Sequence, residues 1–436
     1  MRVRLAVTVG LCCFALACGG GPPDGFTTTE WMTIQGMSPL PALPKDTTNK
    51  YADNDMAAQF GHTMFFETGY SGPIVVADDG TNGGLGAAGD TGKVGCVSCH
   101  QPAYSFADDR SKPNNVGLGV KYTTRNPPSL LNVGFYQWFT WAGRLDTAWC
   151  QGANAPETAT DAAGNRCGVA HLIYSKYKDQ YNAIFDDKLP DSLDPMATDA
   201  ARFPAACKPK AAGAADGPWE MMAAADQTAI MRIMTNLGKS FAAYERKLIS
   251  QNAPFDKYVA GDTTAINASA KRGLKLFIGE AFCVQCHTGP FFSDQKFHVM
   301  GVPQTGPNVP ATDTGRYDDL PKCLANPYNS TSQFSDDTAA GHMKLDGLMQ
   351  QMSDEGAFRT KDLRGVAGTA PYEHDGALAT LADVVDFYAM GGGTTTYTKD
   401  EKLKPLNLTD MDKADLVSFL ESLSGDPPAM PWGAAP

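Results

Sequence analysis

Apolar residues along this chain recur at steps of three and four far more often than at steps of two. Ile230, Ile233, Met234, Leu237, Phe241, Tyr244 and Leu248 form the clearest run, and that spacing puts them all on one face of a helix. The stripe reads as plain core. A second helical run covers 53–66 and ends in Gly61-His62-Thr63-Met64-Phe65-Phe66. A third covers Ala265–Phe277 and closes on Gly273-Leu274-Lys275-Leu276-Phe277. A short helix starts near Thr380 with Leu381, Val384 and Val385. The last takes Thr409 as N-cap, carries Leu416, Phe419, Leu420 and Leu423, and stops at Gly425. Alternating strand patterns are scarce. The predicted class is mainly α, with long loops supplied by 44 Gly and 29 Pro.

Two of these helices introduce the same series of motifs. Gly61-x-x-Met64-Phe65 is followed by Cys96-Val97-Ser98-Cys99-His100 and then Phe106-Ala107-Asp108. Gly273-x-x-Leu276-Phe277 is followed by Cys283-Val284-Gln285-Cys286-His287 and then Phe292-Ser293-Asp294. C-x-x-C-H is the attachment pattern of covalent c-type haem. Its two thiols sit on one turn, about as far apart as the haem vinyl groups, and the histidine is delivered to the iron as proximal ligand. The 184-residue step from Cys99 to Cys283 is too long for a zinc ribbon. The order implies two cytochrome c-like domains, each holding one haem. Residues 53–260 form the first and 261–425 the second, with a tether over 19–52 and a tail over 426–436. Turn chemistry centred on Asp78–Gly84 forms the loop ahead of the first motif.

Residues 1–18 read as an export signal: Arg2 and Arg4, then an apolar run from Leu5 to Ala17. Ala15-Leu16-Ala17-Cys18 fits both a small-x-small cleavage site and a lipobox. The Gly-Gly-Gly-Pro-Pro tract after Cys18 favours a lipid-anchored protein facing the periplasm. No later stretch is long and apolar enough to span a membrane. The net charge of −12 becomes −14 once both arginines are removed. It argues against nucleic acid or an anionic lipid surface as partner and suits a basic redox protein as donor. Cys150, Cys167, Cys207 and Cys323 remain, an even number in a disulfide-permissive compartment. Cys150–Cys167 is the most local of three pairings and leaves Cys207–Cys323; free buried thiols are the other reading.

Histidine usage distinguishes the two haems. The chain has seven histidines, and between His100 and Trp141 there is neither histidine nor methionine. The first iron therefore lacks a nearby second ligand, unless His62 or His171 reaches it. An open face suits peroxide or oxygen chemistry, whereas two protein ligands suit electron transfer.

The runs Arg125-Asn126-Pro127-Pro128-Ser129-Leu130-Leu131-Asn132, Trp141-Ala142-Gly143-Arg144 and Thr369-Ala370-Pro371-Tyr372-Glu373-His374-Asp375-Gly376 resemble the bacterial di-haem cytochrome c peroxidase and MauG family over about residues 55–425. The resemblance implies a peroxidase that reduces hydrogen peroxide with electrons from a small cytochrome c or cupredoxin. It makes His100 the ligand of the peroxidatic haem iron, His287 that of the electron-transferring one, and Trp141 the bridge between them. Gln151 matches a distal-pocket glutamine. Where the family has an acid–base glutamate, this chain has Asp161, with Glu157 as the alternative. Tyr388, fourteen residues after His374, matches the second ligand of haem 2, with Met390 as fallback. Asn126, Thr369 and Pro371 match a calcium site, an oxygen set suited to a hard cation. The tryptophan through which MauG oxidises a bound protein is replaced by Ala281. Two other readings stay open: a MauG-like oxidase modifying a partner protein, and a di-haem electron carrier.

Overall fold

A computed structural model of the chain describes residues 21–76, 85–112 and 115–436. The export signal, Cys18 and the loop centre Asp78–Gly84 lie outside the described residues. The helices are α1 (Thr28–Gln35), α2 (Asp55–Phe66), α3 (Ala148–Asn154), α4 (Arg166–Ile184), α5 (Pro218–Met221), α6 (Ala224–Glu245), α7 (Pro254–Val259), α8 (Ala268–Ile278), α9 (Arg316–Leu324), α10 (Thr338–Leu345), α11 (Leu381–Ala389) and α12 (Asp410–Glu421). Among the described residues the only sheet is one antiparallel pair, β1 (Phe297–Val299) with β2 (Ala357–Arg359). The protein is mainly helical, as the periodicity requires.

Polar caps start the main helices where the sequence places them. The side chains of Asn54, Asn267 and Thr409 accept from the backbone N–H groups of Ala57, Ala270 and Asp412, satisfying donors that a helix start leaves open. The apolar stripe of α6 then packs on α2 and α3 in a first core that includes Phe60, Phe65, Trp149, Ile233 and Phe241. A second core gathers α7, α8, α11 and α12 around Phe255, Leu274, Phe277 and Phe419.

The repeated Gly-x-x-apolar-Phe motif has a steric cause. A Cβ on Gly61 would overlap the carbonyl oxygen of Ser240 on α6, and one on Gly273 would overlap that of Asp415 on α12. Both glycines let two helices cross at backbone contact. The same crossing occurs once in each core.

Two features depart from expectation. The lead-in over 19–52 is not wholly irregular. Thr27 and Glu30 close a capping box on α1, and Phe26, Ile34 and Met37 are buried in the second core. Only Ile34 of α1 is buried, so the helix has no stripe for periodicity to detect. The tail crosses the other way: Tyr244 Oη donates to the Trp432 carbonyl at 3.0 Å, and Trp432 packs on the first core.

The disulfide also differs. Cys167 is bonded to Cys207 across a separation of 40 residues, with Cα atoms 5.1 Å apart. Cys150 and Cys323 are buried free thiols. Cys150 lies on α3 and Cys167 in the first turn of α4, and nearness in sequence does not aim the two side chains at each other.

Candidate functional site

Both C-x-x-C-H runs fold the same way. Cys96–Ser98 and Cys283–Gln285 are single 3-10 turns. The N–H groups of His100 and His287 donate to the Cys96 and Cys283 carbonyls at 3.0 and 2.9 Å. Each ring is then fixed by the motif that follows. His100 Nδ1 lies 3.2 Å from the Phe106 carbonyl, and His287 Nδ1 lies 2.9 Å from that of Phe292. Phe106 and Phe292 both adopt left-handed backbone, φ 55° and 51°, which turns those carbonyls back to the rings. With Nδ1 donating, Nε2 carries the lone pair, the tautomer a metal ligand needs. Burial pushes the pKa of His100 down to about 4 and lowers that of His287. This explains the F-x-D element of the repeat.

Cys96, Cys99 and His100 open into a cavity of about 400 Å³, within the range of cofactor pockets. Trp141, Gln151 and Asp161 line it, as do Phe241, Glu245 and Arg359. His100 is the sole histidine among the lining residues, and no methionine is present. His62 Nε2 instead lies 2.7 Å from the Ala434 carbonyl with its ring stacked on Tyr244. His171 is held between the carbonyls of Leu193 and Phe203, 3.0 Å from each. Neither lines the cavity.

The two candidate acids separate. Asp161 lines the cavity and accepts from Thr160 Oγ1 at 2.8 Å. Burial raises its pKa, partly opposed by that hydrogen bond and by Arg144. Glu157 is absent from the lining and is clamped by Arg166, whose Nη2 approaches to 2.6 Å. It caps the start of α4, accepting from the Arg166 N–H at 2.9 Å.

Trp141 is buried, and its Nε1 donates to the Asn126 carbonyl at 2.7 Å. The Asn126 side chain in turn meets the Pro371 carbonyl at 2.6 Å, so two of the three residues matched to calcium converge. Thr369 precedes Pro371 by two residues, and its hydroxyl donates to Val366.

At the second site Tyr388, on α11, donates to Glu373 Oε1 at 3.2 Å and lies 2.8 Å from Met300 Sδ. Burial raises its pKa well above the usual value. Met390 is 66% exposed at the C-cap of α11. The sulfur beside the Tyr388 hydroxyl is that of Met300. Met300 follows β1 and lay outside every motif. Ala281 is buried, and the exposed aromatic beside it is Phe282.

Arg359 and Lys361 are functional candidates the sequence concealed. Arg359 is buried over the Tyr136 ring, and its Nε and Nη2 have no hydrogen-bond partner. Lys361 Nζ donates to Tyr136 Oη at 3.0 Å and lies 5.3 Å from the Trp141 ring. Both line the cavity. A buried guanidinium with open donors calls for an anionic occupant.

Two histidine-bearing cysteine turns on matching helix crossings, one beside a cavity with a single imidazole, define a two-centre c-type cytochrome architecture. The chain belongs to the di-haem cytochrome c peroxidase family. The model of that family matches residues 55–264. The cytochrome-c peroxidase IdrP1 of Denitromonas iodatirespirans is 30% identical over 97% of this chain and 93% of its own length. The methylamine utilization protein MauG of Methylorubrum extorquens is 29% identical over 78% of this chain and 75% of its own. A MauG-like protein associated with microbial copper homeostasis shares the fold, with TM-score 0.61 at 22% identity over 91% of this chain and 98% of that one.

Proposed function

We propose that this protein is a di-haem c-type peroxidase that reduces hydrogen peroxide with electrons from a small redox protein, a cytochrome c or cupredoxin. The observation that carries the reading is the cavity at His100, which holds one imidazole, no methionine and, among its carboxyls, Asp161 with its pKa raised by desolvation.

The residues fit the haems the family implies. Cys96 and Cys99 would anchor the first and Cys283 and Cys286 the second, with His100 and His287 as iron ligands. The open donors of Arg359, with Lys361, suit the haem carboxylates. Bound there, haem supplies the redox chemistry of peroxide reduction. The chain's own groups do the rest. The Phe106 carbonyl keeps His100 in one tautomer. Asp161 takes the proton from the near oxygen of peroxide and returns it to the far one, while Gln151 orients the molecule. Trp141 offers an aromatic bridge from the cavity toward the second site, where Tyr388 would serve as the other iron ligand. Asn126, Thr369 and Pro371 would hold one calcium ion beside that bridge. The mature protein would act in the periplasm, anchored through Cys18.

Tyr388 also favours a second reading, a MauG-like oxidase of a partner protein, since a phenolate favours a high-valent state. Ala281 and its burial count against it. Peroxide titration with and without prior reduction, followed by optical and EPR spectra, separates these. Reaction after one-electron reduction, with turnover by a donor protein, supports the peroxidase. Direct reaction of the diferric protein supports the oxidase. No reaction in any redox state leaves a carrier.

A further inference from the structure

Peroxide reduction to two waters consumes two protons and two electrons. Asp161 passes a proton from one peroxide oxygen to the other and adds none, so the consumed protons must enter through another group. Four more carboxyls line the cavity: Asp313 and Asp319 are paired with Arg125, Asp318 accepts from Thr314 Oγ1, and Glu245 has no such partner. Glu245 ends α6 one helical turn beyond Phe241, and both line the cavity. Phe241 packs against Gly152, the neighbour of Gln151, so α3 and α6 bring the amide and this acid to one chamber.

Glu245 is only 8% exposed, and its carboxyl accepts no hydrogen bond from any described residue. Among the described residues no cation pairs with it. Tyr244 Oη is committed to the Trp432 carbonyl. Arg246 is turned to Asp53 at 2.7 Å and to the Pro44 carbonyl at 2.9 Å. His62 on α2 is turned to Ala434, α3 offers only the buried Cys150 thiol, and the cations that line the cavity, Arg125, Arg144, Lys322, Arg359 and Lys361, form no ion pair with Glu245. Apolar burial alone pushes Glu245 up to about 8. An unpaired carboxyl in such a place is held as the neutral acid.

We infer that Glu245 is the proton donor of this pocket. Asp161 completes one water on the departing oxygen; the oxygen left behind becomes the second water by taking two electrons and two protons, each proton released as the Glu245 O–H bond breaks, and the carboxylate is reloaded from solvent each time. The donor protein supplies the two electrons. The inference rests on the peroxidase reading.

The test uses holoprotein: wild type, Glu245→Gln, Glu245→Asp and Asp161→Asn. Infrared spectra across pH should show a protonated carboxyl band at pH 7 that fades near pH 8. The band should be absent in Glu245→Gln and present in Asp161→Asn. Peroxide turnover should fall at least tenfold in Glu245→Gln with loss of the alkaline limb of the pH profile, and Glu245→Asp should restore part of both. An active wild type with an unchanged Glu245→Gln profile, or an unchanged infrared band in that variant, overturns the proposal alone. A wild type inert to peroxide overturns the peroxidase reading, and the step with it, while the infrared band still reports the acid.

Discussion

Replacing Glu245 with Gln should stabilise the protein at alkaline pH, although it alters a buried site. Burial carries the Glu245 carboxyl from 4.5 in the unfolded chain to about 8 in the fold. Between those values the native state binds more protons than the unfolded one, so stability falls as pH rises through the window. At about 1.4 kcal/mol per unit, the cost is about 1 kcal/mol at pH 5 and about 4 kcal/mol at pH 8. Gln keeps the shape and has no proton to lose. Urea unfolding of the two holoproteins from pH 5 to pH 8 should therefore show wild type losing about 3 kcal/mol more than the variant. Other titrating groups cancel in the difference. Parallel curves would refute the assignment of Glu245 as a buried neutral acid.

Asp161→Asn should slow peroxide cleavage about 10²–10⁴-fold. Glu157→Gln should spare the rate and instead cost roughly 3 kcal/mol by unpairing buried Arg166; the opposite pattern, in kinetics and urea melts, would exchange their roles. Tyr388→Phe should alter the optical spectrum of the second haem alone, and an unchanged spectrum removes Tyr388 as its ligand. Gly273→Ala should cost about 1–3 kcal/mol in urea unfolding, because a Cβ there meets the Asp415 carbonyl. Removing the Cys167–Cys207 bond by double serine substitution should cost about 4 kcal/mol for a closure of 40 residues, and an unchanged denaturation midpoint would count against it.

Much of this protein was legible in its sequence, for reasons that are local. A C-x-x-C-H run constrains one turn, and the period of α6 or the Thr409 cap reports on neighbours within a few residues. The repeated Phe of F-x-D was visible as a pattern, yet its purpose, a left-handed carbonyl returned to the histidine ring, needed backbone angles. Position alone did not separate Asp161 from Glu157. Folding did, because Arg166 takes one carboxylate and the cavity takes the other. Cys150–Cys167 looked closest on paper, and the bond joins Cys167 to Cys207 instead. Glu245 sat unremarked inside a stripe read as core, and Met300 and Arg359 lay outside any motif. The cavity draws on α3, α6, the turn at Cys96 and the segment after β2, which are far apart in the chain. Which side chain loses water, and which finds a partner, is decided only when those segments pack. The stripes of α2, α6, α8, α11 and α12 and both cysteine turns follow from neighbours along the chain, whereas which acids face the cavity follows only from how distant segments pack.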